Sequence, residues 1–133
     1  MPLHWDFDAT NKIIRFRLEG RIGDREIEDC YREMGAVSGA VEAKAGVADF
    51  SAVTSFEVSR QTIVNLAKQE PALPGEQRPR VLIATSPYVL GILRMFQMEG
   101  ESTRPNLYVV QTHEAAWAIL GIKEPAFAAY NGK

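Results

Sequence analysis

Two short apolar runs constrain the fold of this chain more than any other feature of its sequence. Residues 80–85 read RVLIAT and residues 107–111 read LYVVQ, without the polar alternation of a half-exposed strand. Such runs are typical of strands that are buried on both faces of a parallel sheet. Because parallel neighbours are joined by crossovers, usually helices, the runs predict an α/β fold.

Helix-start signals follow both runs. Ser86 and Pro87 come after the first run, where serine is a good N-cap and proline suits the first helical position. Apolar residues then recur at helical spacing until Gly100. Thr112 caps a final helix predicted over 113–120, and Gly121 is predicted at the C′ position that ends it.

The N-terminal third predicts a hairpin and a helix. Apolar and polar residues alternate over 3–8 and again over 14–19, which indicates two antiparallel strands with one solvated face. Acids of the first strand should lie near arginines of the second. Asp24 is the predicted N-cap of a helix that ends near Gly39, with Cys30 packed on its apolar stripe.

The middle of the chain predicts a short strand over 46–50, a polar loop over 51–57 and a second helix. That helix begins at about Val58 or Ser59 and ends at Gln69. The element order is therefore β-β-α-β-α-β-α-β-α, which requires right-handed crossovers and a mostly parallel sheet.

Composition limits the classes of function. The 133 residues fit one domain, predicted over 1–123, followed by a tail over 124–133 that either packs on a neighbouring chain or is disordered. The net charge of −2, with both signs mixed along the chain, argues against a nucleic-acid partner. No apolar stretch approaches the length of a membrane span and no secretory signal is recognisable, so we expect a cytoplasmic protein.

Catalytic and metal-binding patterns are missing from the sequence. His4 and His113 lie on different predicted elements, and Cys30 is the single cysteine. No nucleophile elbow or glycine-rich phosphate loop occurs. We therefore expect no metal, no cofactor and no enzyme activity.

The segment from Asp49 to Ser59 is the strongest candidate site. It leaves a parallel strand at the sheet edge where open α/β sheets bind ligands, and it enters a helix whose free N–H groups favour an anion. An ordinary strand-to-helix loop with serine caps explains the same residues, so both interpretations stay open.

The same segment resembles STAS domains, and in particular anti-anti-sigma factors of the SpoIIAA type. Asp49-Phe50-Ser51 is similar to the Asp-Leu-Ser of that family, and Glu57-Val58-Ser59 falls where Asp-Ser-Ser opens a helix. The element order from Leu3 to Gly121 also fits. The resemblance implies a mostly parallel mixed sheet of about five strands with an N-terminal antiparallel hairpin, about four helices, and homodimers.

The phosphorylation site of the family is altered here. In signalling members a kinase phosphorylates the first serine of Asp-Ser-Ser, a position that corresponds to Val58, which has no hydroxyl. The glycine that follows the serine pair is replaced as well. If a hydroxyl of this chain is modified, Ser59 is the first candidate, followed by Ser51 or Ser55.

The resemblance implies a non-catalytic module for regulatory protein–protein interaction. Met98 lies off the apolar stripe of the third helix and belongs either to a contact surface or to a second packing contact. The predicted partner-binding residues are Asp49, Ser51, Ser55, Glu57, Val58, Ser59, Arg94 and Met98. The alternative is a Sec14-like module that binds a small molecule or lipid in an apolar cavity lined by Phe56, Phe96 and Met98.

Overall fold

The computed structural model describes residues 2–75 and 78–130, and the last three residues of the predicted tail lie outside this part of the chain. Strands and helices alternate in the predicted order. The elements are β1 (Leu3–Asp8), β2 (Ile13–Gly23), α1 (Asp24–Ala40), β3 (Ala45–Glu57), α2 (Arg60–Lys68), β4 (Arg80–Ile83), α3 (Pro87–Glu99), β5 (Leu107–Val110) and α4 (His113–Leu120).

The five strands form one sheet in the order β1-β2-β3-β4-β5. β1 pairs with β2 antiparallel, and the three remaining pairs are parallel. A helix connects each parallel pair, as a crossover requires. The predicted mixed sheet with an N-terminal hairpin and four helices is confirmed.

Helices cover both faces of the sheet. On one face α1, α2 and α3 bury their apolar stripes against alternate residues of the strands, and on the other face α4 packs with Ala116 at its centre. Val81 and Ile83 are fully buried, as the apolar run predicted. Cys30 is buried on the α1 side, so its predicted place in the core is confirmed.

The polar face of the hairpin is more buried than the sequence predicted. Asp6 pairs with Arg15 of β2, with 2.6 Å between the Asp6 Oδ2 and Arg15 Nη2 atoms, so the expected cross-strand ion pair is present. Yet Asp6 and Asp8 are buried, so this face is not solvated at these two residues. The Arg15 guanidinium lies 4.2 Å from the centre of the Phe127 ring, which belongs to the segment that covers them.

The segment that follows α4 packs on its own chain. Ala128 forms a pair of backbone hydrogen bonds with Phe7 at the outer edge of β1, and the Ala126 N–H donates to Asp8. The Tyr130 ring lies edge-on to the ring of Phe7. The described part of the predicted tail, up to Tyr130, is therefore ordered and packs against one edge of the sheet of its own chain.

The largest departure from prediction is the length of β3. Residues 51–57, predicted as a loop, continue the strand and pair with the last third of β2. Val53, Thr54 and Phe56 favour strands, and β2 is long enough to run beside them. β3 carries two extra residues relative to β2, one between Asp49 and Ala52 and one between Val53 and Ser55. These bulges let the two strands continue together.

The helix ends agree closely with the predicted signals. Gly23, one residue earlier than predicted, is the N-cap of α1, and Ser59 is the N-cap of α2. Pro87 opens α3, although the Ser86 side chain makes no capping hydrogen bond. Gly121 ends α4 in the left-handed conformation, with φ of 70°.

Candidate functional site

The chain leaves the sheet after Glu57, seven residues beyond the predicted end of the strand at Phe50. Four side chains of the predicted site reach the surface there, and we call them the junction surface: Ser51, Ser55, Glu57 and Ser59. Of these, Ser55 is half-buried and the other three are exposed. The junction of β3 and α2 thus presents hydroxyl groups and one carboxylate to solvent.

A carboxylate of the chain itself occupies the N-terminus of α2. The Ser59 N–H donates to Asp24 Oδ1 across 2.7 Å, and the Ser59 Oγ atom accepts from the Thr62 N–H across 3.2 Å. The backbone hydrogen bond from Ser59 holds the pKa of Asp24 below its ordinary value, and the Ser59 and Thr62 side chains add to the effect. The anion that the free N–H groups of a helix favour is therefore supplied internally.

The N-terminus of α1 lies directly beside that of α2. Gly23, at the end of β2, pairs with Glu57 at the end of β3, and its N–H donates to Glu26 Oε1 across 2.8 Å. At both helix starts an acidic side chain of α1 therefore accepts from the N–H of the N-cap residue. Asp24 was predicted only as the cap of α1, since its contact with Ser59 spans 35 residues of chain and leaves no local signal.

A second polar cluster lies at the C-terminal ends of the parallel strands. His113 Nε2 lies 2.7 Å from Asp49 Oδ2, and the Ser51 N–H donates to Asp49 Oδ1 across 2.9 Å. Burial is the largest single influence on Asp49 and raises its pKa, but the hydrogen bonds from Ser51 and His113 outweigh it and leave the pKa lowered. Asp49 is therefore an ionised, buried carboxylate.

This cluster does not have the order of a catalytic triad. A triad requires a histidine between the nucleophile and the carboxylate, whereas here Ser51 and His113 both bind Asp49. Among the described residues, Asp49 is the only hydrogen-bond partner of His113. The cluster fixes the first bulge of β3 and connects it to the start of α4, so its role is to hold these two elements in place.

The partner of His113 was not predicted from the sequence. The histidine was predicted as an exposed residue of the first helical turn, and the structure makes it half-buried and bound to a residue 64 positions earlier. Nothing local signals the contact. The one usable clue is topological, since β3 and the start of α4 both lie at the carboxyl end of the sheet.

The remaining predicted site residues divide by burial. Asp49 is 6% exposed and Val58 is 8% exposed, so neither offers its side chain to a partner. Arg94 is exposed on α3, and Met98 is 73% exposed, so it takes no part in a second packing contact. Arg60 Nη2 lies 3.9 Å from Glu99 Oε1, which brings the end of α3 close to the start of α2.

An apolar cavity lies between the sheet and the helices α1 to α3. Its volume is about 100 Å³, and Phe56 and Phe96 contribute to its walls, but Met98 does not. Ligand-binding pockets usually measure about 300–1,000 Å³. The cavity is too small for a lipid, which weighs against a Sec14-like function.

Residues 2–75 and 78–130 contain neither a metal-binding cluster nor a membrane-spanning helix. No cluster of three or more metal-ligating side chains occurs in them. None of the helices there combines the length and hydropathy that crossing a bilayer demands.

No protein-family model matches the chain, and no curated protein matches it in sequence. Solved structures do match. The anti-sigma factor antagonist SpoIIAA in its unphosphorylated form aligns over 92% of this chain and 99% of its own, with a TM-score of 0.58 and 15% identity. The chain has the SpoIIAA fold.

Two further structures share the SpoIIAA fold. An anti-sigma factor antagonist from Mycobacterium paratuberculosis aligns over 90% of this chain and 94% of its own, with a TM-score of 0.62 and 16% identity. The Bacillus cell fate determinant SpoIIAA in its phosphorylated form aligns over 87% and 96%, with a TM-score of 0.53 and 16% identity. The resemblance predicted from sequence is confirmed for the fold.

Proposed function

We propose that this chain is a non-catalytic regulatory module that binds an anti-sigma factor through its junction surface. The observation that carries the proposal is the fold that it shares with two anti-sigma factor antagonists over at least 90% of its length. The chemistry of the site supports it, because the Asp49 cluster lacks the order of a triad and the exposed groups suit contact with a protein.

Two exposed regions supply the contact surface in this proposal. The junction surface provides Glu57 and Ser59, and the nearby end of α3 adds Met98, whose flexible thioether adapts to varied partners. Asp49 and Val58 act from beneath by fixing the bulge in β3 and the start of α2. Of the eight predicted partner-binding residues, these two thus keep a role in positioning alone.

Control by phosphate differs from that of SpoIIAA in this proposal. Val58 has no hydroxyl and its side chain is buried, whereas Ser59 is exposed and its hydroxyl donates to Thr62 Oγ1 across 3.1 Å. A phosphate on Ser59 would lie against the Asp24 carboxylate, and like charges at that distance repel. Any such modification would therefore loosen the contact between α1 and α2. A homodimer and a cytoplasmic location stay predictions.

Substitution of Ser59 tests the proposal. The immobilised chain is exposed to a lysate of its source organism, the retained protein is identified and purified, and its affinity is measured by calorimetry. Ser59→Asp adds a negative charge and keeps an N-cap, while Ser59→Asn is the matched neutral cap. We expect about tenfold weaker binding for Ser59→Asp and less than about twofold for Ser59→Asn.

Two results would contradict the proposal. The first is that the wild-type chain retains no protein in stoichiometric amount, or retains one that is not an anti-sigma factor. The second is that Ser59→Asp and Ser59→Asn bind equally well, which would place the contact elsewhere. An additional variant, Met98→Glu, reports on the α3 part of the surface and should also weaken binding.

A further inference from the structure

The second half of β3 has one neighbour where the first half has two. β4 pairs with β3 from Gly46 to Asp49 and ends at Ile83, while β2 continues beside β3 as far as Glu57. In the described part of the chain, no strand lies on the β4 side of residues 51–57. We call this side of residues 51–57 the open edge.

The open edge lacks the charged residues and prolines that blunt many exposed strands, and the two bulges of β3 are the protective feature that it does have. Natural edge strands are blunted by lysine, proline or inward-pointing charge, because their unpaired N–H and C=O groups recruit other strands. Residues 51–56 read SAVTSF, with neither charge nor proline, and Glu57 is the first charged residue after them. Valine, threonine and phenylalanine favour strand pairing. Such an edge is expected to have a partner.

A groove runs along the open edge and has room for one further strand. Its volume is about 430 Å³; residues 53–57 form one wall, and Ser86, Tyr88 and Val89 at the start of α3 form the other. Tyr88 is 62% exposed, and tyrosine is enriched among the residues that dominate binding energy. Ser86, Tyr88 and Val89 follow β4 in the chain, so the groove lies between residues 53–57 of β3 and the segment that leaves β4.

We propose that this groove binds an extended peptide segment of a protein partner, added as a strand to the open edge of β3. The proposal rests on the proposed function and names how the partner is held. Only an extended main chain offers donors and acceptors at the spacing of a strand edge. A second copy of this chain fits less well, because it would bring its own β2 and α3 into a groove that α3 already bounds.

Charge sets one feature of the peptide. Glu57 is the only charged residue among those that line the groove, and it lies at the end where β3 leaves the sheet. A lysine or arginine at the matching end of the peptide would pair with it. The rest of the segment is uncharged and rich in strand-forming residues, as the neutral wall requires.

The test uses a phage-displayed library of random octapeptides and the purified full chain. Thr54→Lys places a charge on the exposed open edge, and Tyr108→Lys makes the same change on β5, the other edge of the sheet. Selected peptides should be extended and carry a basic residue at one end. We expect Thr54→Lys to weaken them about tenfold or more and Tyr108→Lys to change binding less than about twofold. Glu57→Lys should select acidic residues in place of basic ones.

Amide hydrogen exchange locates the bound peptide. Exchange within residues 51–57 should slow when a selected peptide is added, and thermal unfolding of each variant checks that it is folded. The proposal is overturned if no peptide is enriched, if Thr54→Lys binds as well as wild type, or if protection appears elsewhere. A wild-type dimer that Thr54→Lys dissociates would show that a second copy occupies the edge and would overturn it as well.

The two proposals can fail separately. If a purified anti-sigma factor binds and Ser59→Asp weakens it, but no octapeptide binds the open edge, the function stands and the mode of docking falls. If octapeptides bind the open edge and no anti-sigma factor is retained, peptide binding in the groove is supported and the anti-sigma factor is excluded as the partner.

Discussion

Replacing Arg104 should destabilise the chain more than any replacement of an exposed arginine. Arg104 follows α3 and is 3% exposed. Its Nη1 atom donates to the Ala67 carbonyl across 2.7 Å, and its Nη2 atom donates to Leu66 and Gln69 carbonyls across 3.2 and 2.9 Å. One guanidinium thus satisfies the last carbonyls of α2, the helix whose other end carries the junction surface.

The expected loss follows from the carbonyls that Arg104→Met would leave without this donor. Leu66 also accepts from the Gln69 N–H, so its oxygen stays satisfied. The buried Ala67 carbonyl would lose its donor, and a buried acceptor without a partner costs about 1–3 kcal/mol. The Gln69 carbonyl belongs to an exposed residue, so water can replace its donor at a smaller cost. Methionine keeps most of the apolar contact with Phe96. We therefore expect the free energy of unfolding to fall by about 2 kcal/mol, and Tm by about 7 °C.

Arg104→Lys separates the hydrogen bonds from the charge. A lysine keeps the charge, but its single ammonium cannot reach carbonyls on both sides as the planar guanidinium does, so about half of the loss should remain. Arg32→Met is the control, because the Arg32 side chain is 75% exposed and pairs with Asp29 on one helix. Its effect should stay within about 0.5 kcal/mol.

Equilibrium unfolding in urea at neutral pH measures all three variants. The reasoning fails if Arg104→Met lies within about 1 kcal/mol of wild type. It also fails if Arg104→Lys loses as much stability as Arg104→Met. If the hydrogen bonds matter, the free energy of unfolding should decrease from arginine to lysine to methionine.

Two further predictions concern buried titratable groups. Because hydrogen bonds lower the pKa of Asp49 below its ordinary value of 3.8, ionised Asp49 stabilises the folded chain above that value, and this stability is lost as pH falls through the folded pKa. Asp49→Asn should flatten the acid side of the curve of unfolding free energy against pH, and a curve parallel to that of wild type would contradict this. Burial raises the pKa of the Cys30 thiol to about 11, so a disulfide reagent should label Cys30 at neutral pH only as fast as the chain unfolds. Rapid labelling of the folded chain would show that the Cys30 thiol is accessible and would contradict this prediction.

Most of the fold could be predicted from local sequence patterns. Pro87 and Gly121 lie where their conformational preferences predicted them, because proline fixes φ and glycine accepts a positive φ whatever the rest of the chain does. The two apolar runs also became strands β4 and β5, but the predicted burial of the second run on both faces was wrong, because β5 lies at an edge of the sheet and only Leu107 of it is buried. Each of these signals involves only a few neighbouring residues, so the element that it marks can be predicted from the sequence alone.

Features that depend on distant partners were missed. Residues 51–57 are rich in serine and threonine and looked like a loop, yet β2 lies beside them and supplies their hydrogen bonds. His113 meets Asp49, and Arg104 reaches the end of α2, across 64 and 37 residues of chain. In each case the decisive group comes from another element, and periodicity carries no information about it.

The corrected site changes the kind of ligand that this end of the sheet can recognise. The sequence suggested an anion at the start of α2, but Asp24 already fills that position, and Glu26 fills the matching position on α1. Added phosphate would have to displace a carboxylate that the fold itself holds in place. On the side of β4, residues 51–57 of β3 pair with no strand of the described chain. The contacts that occupy both helix starts therefore disfavour phosphate, and they leave this edge of β3 as the place where the proposed strand pairing would occur.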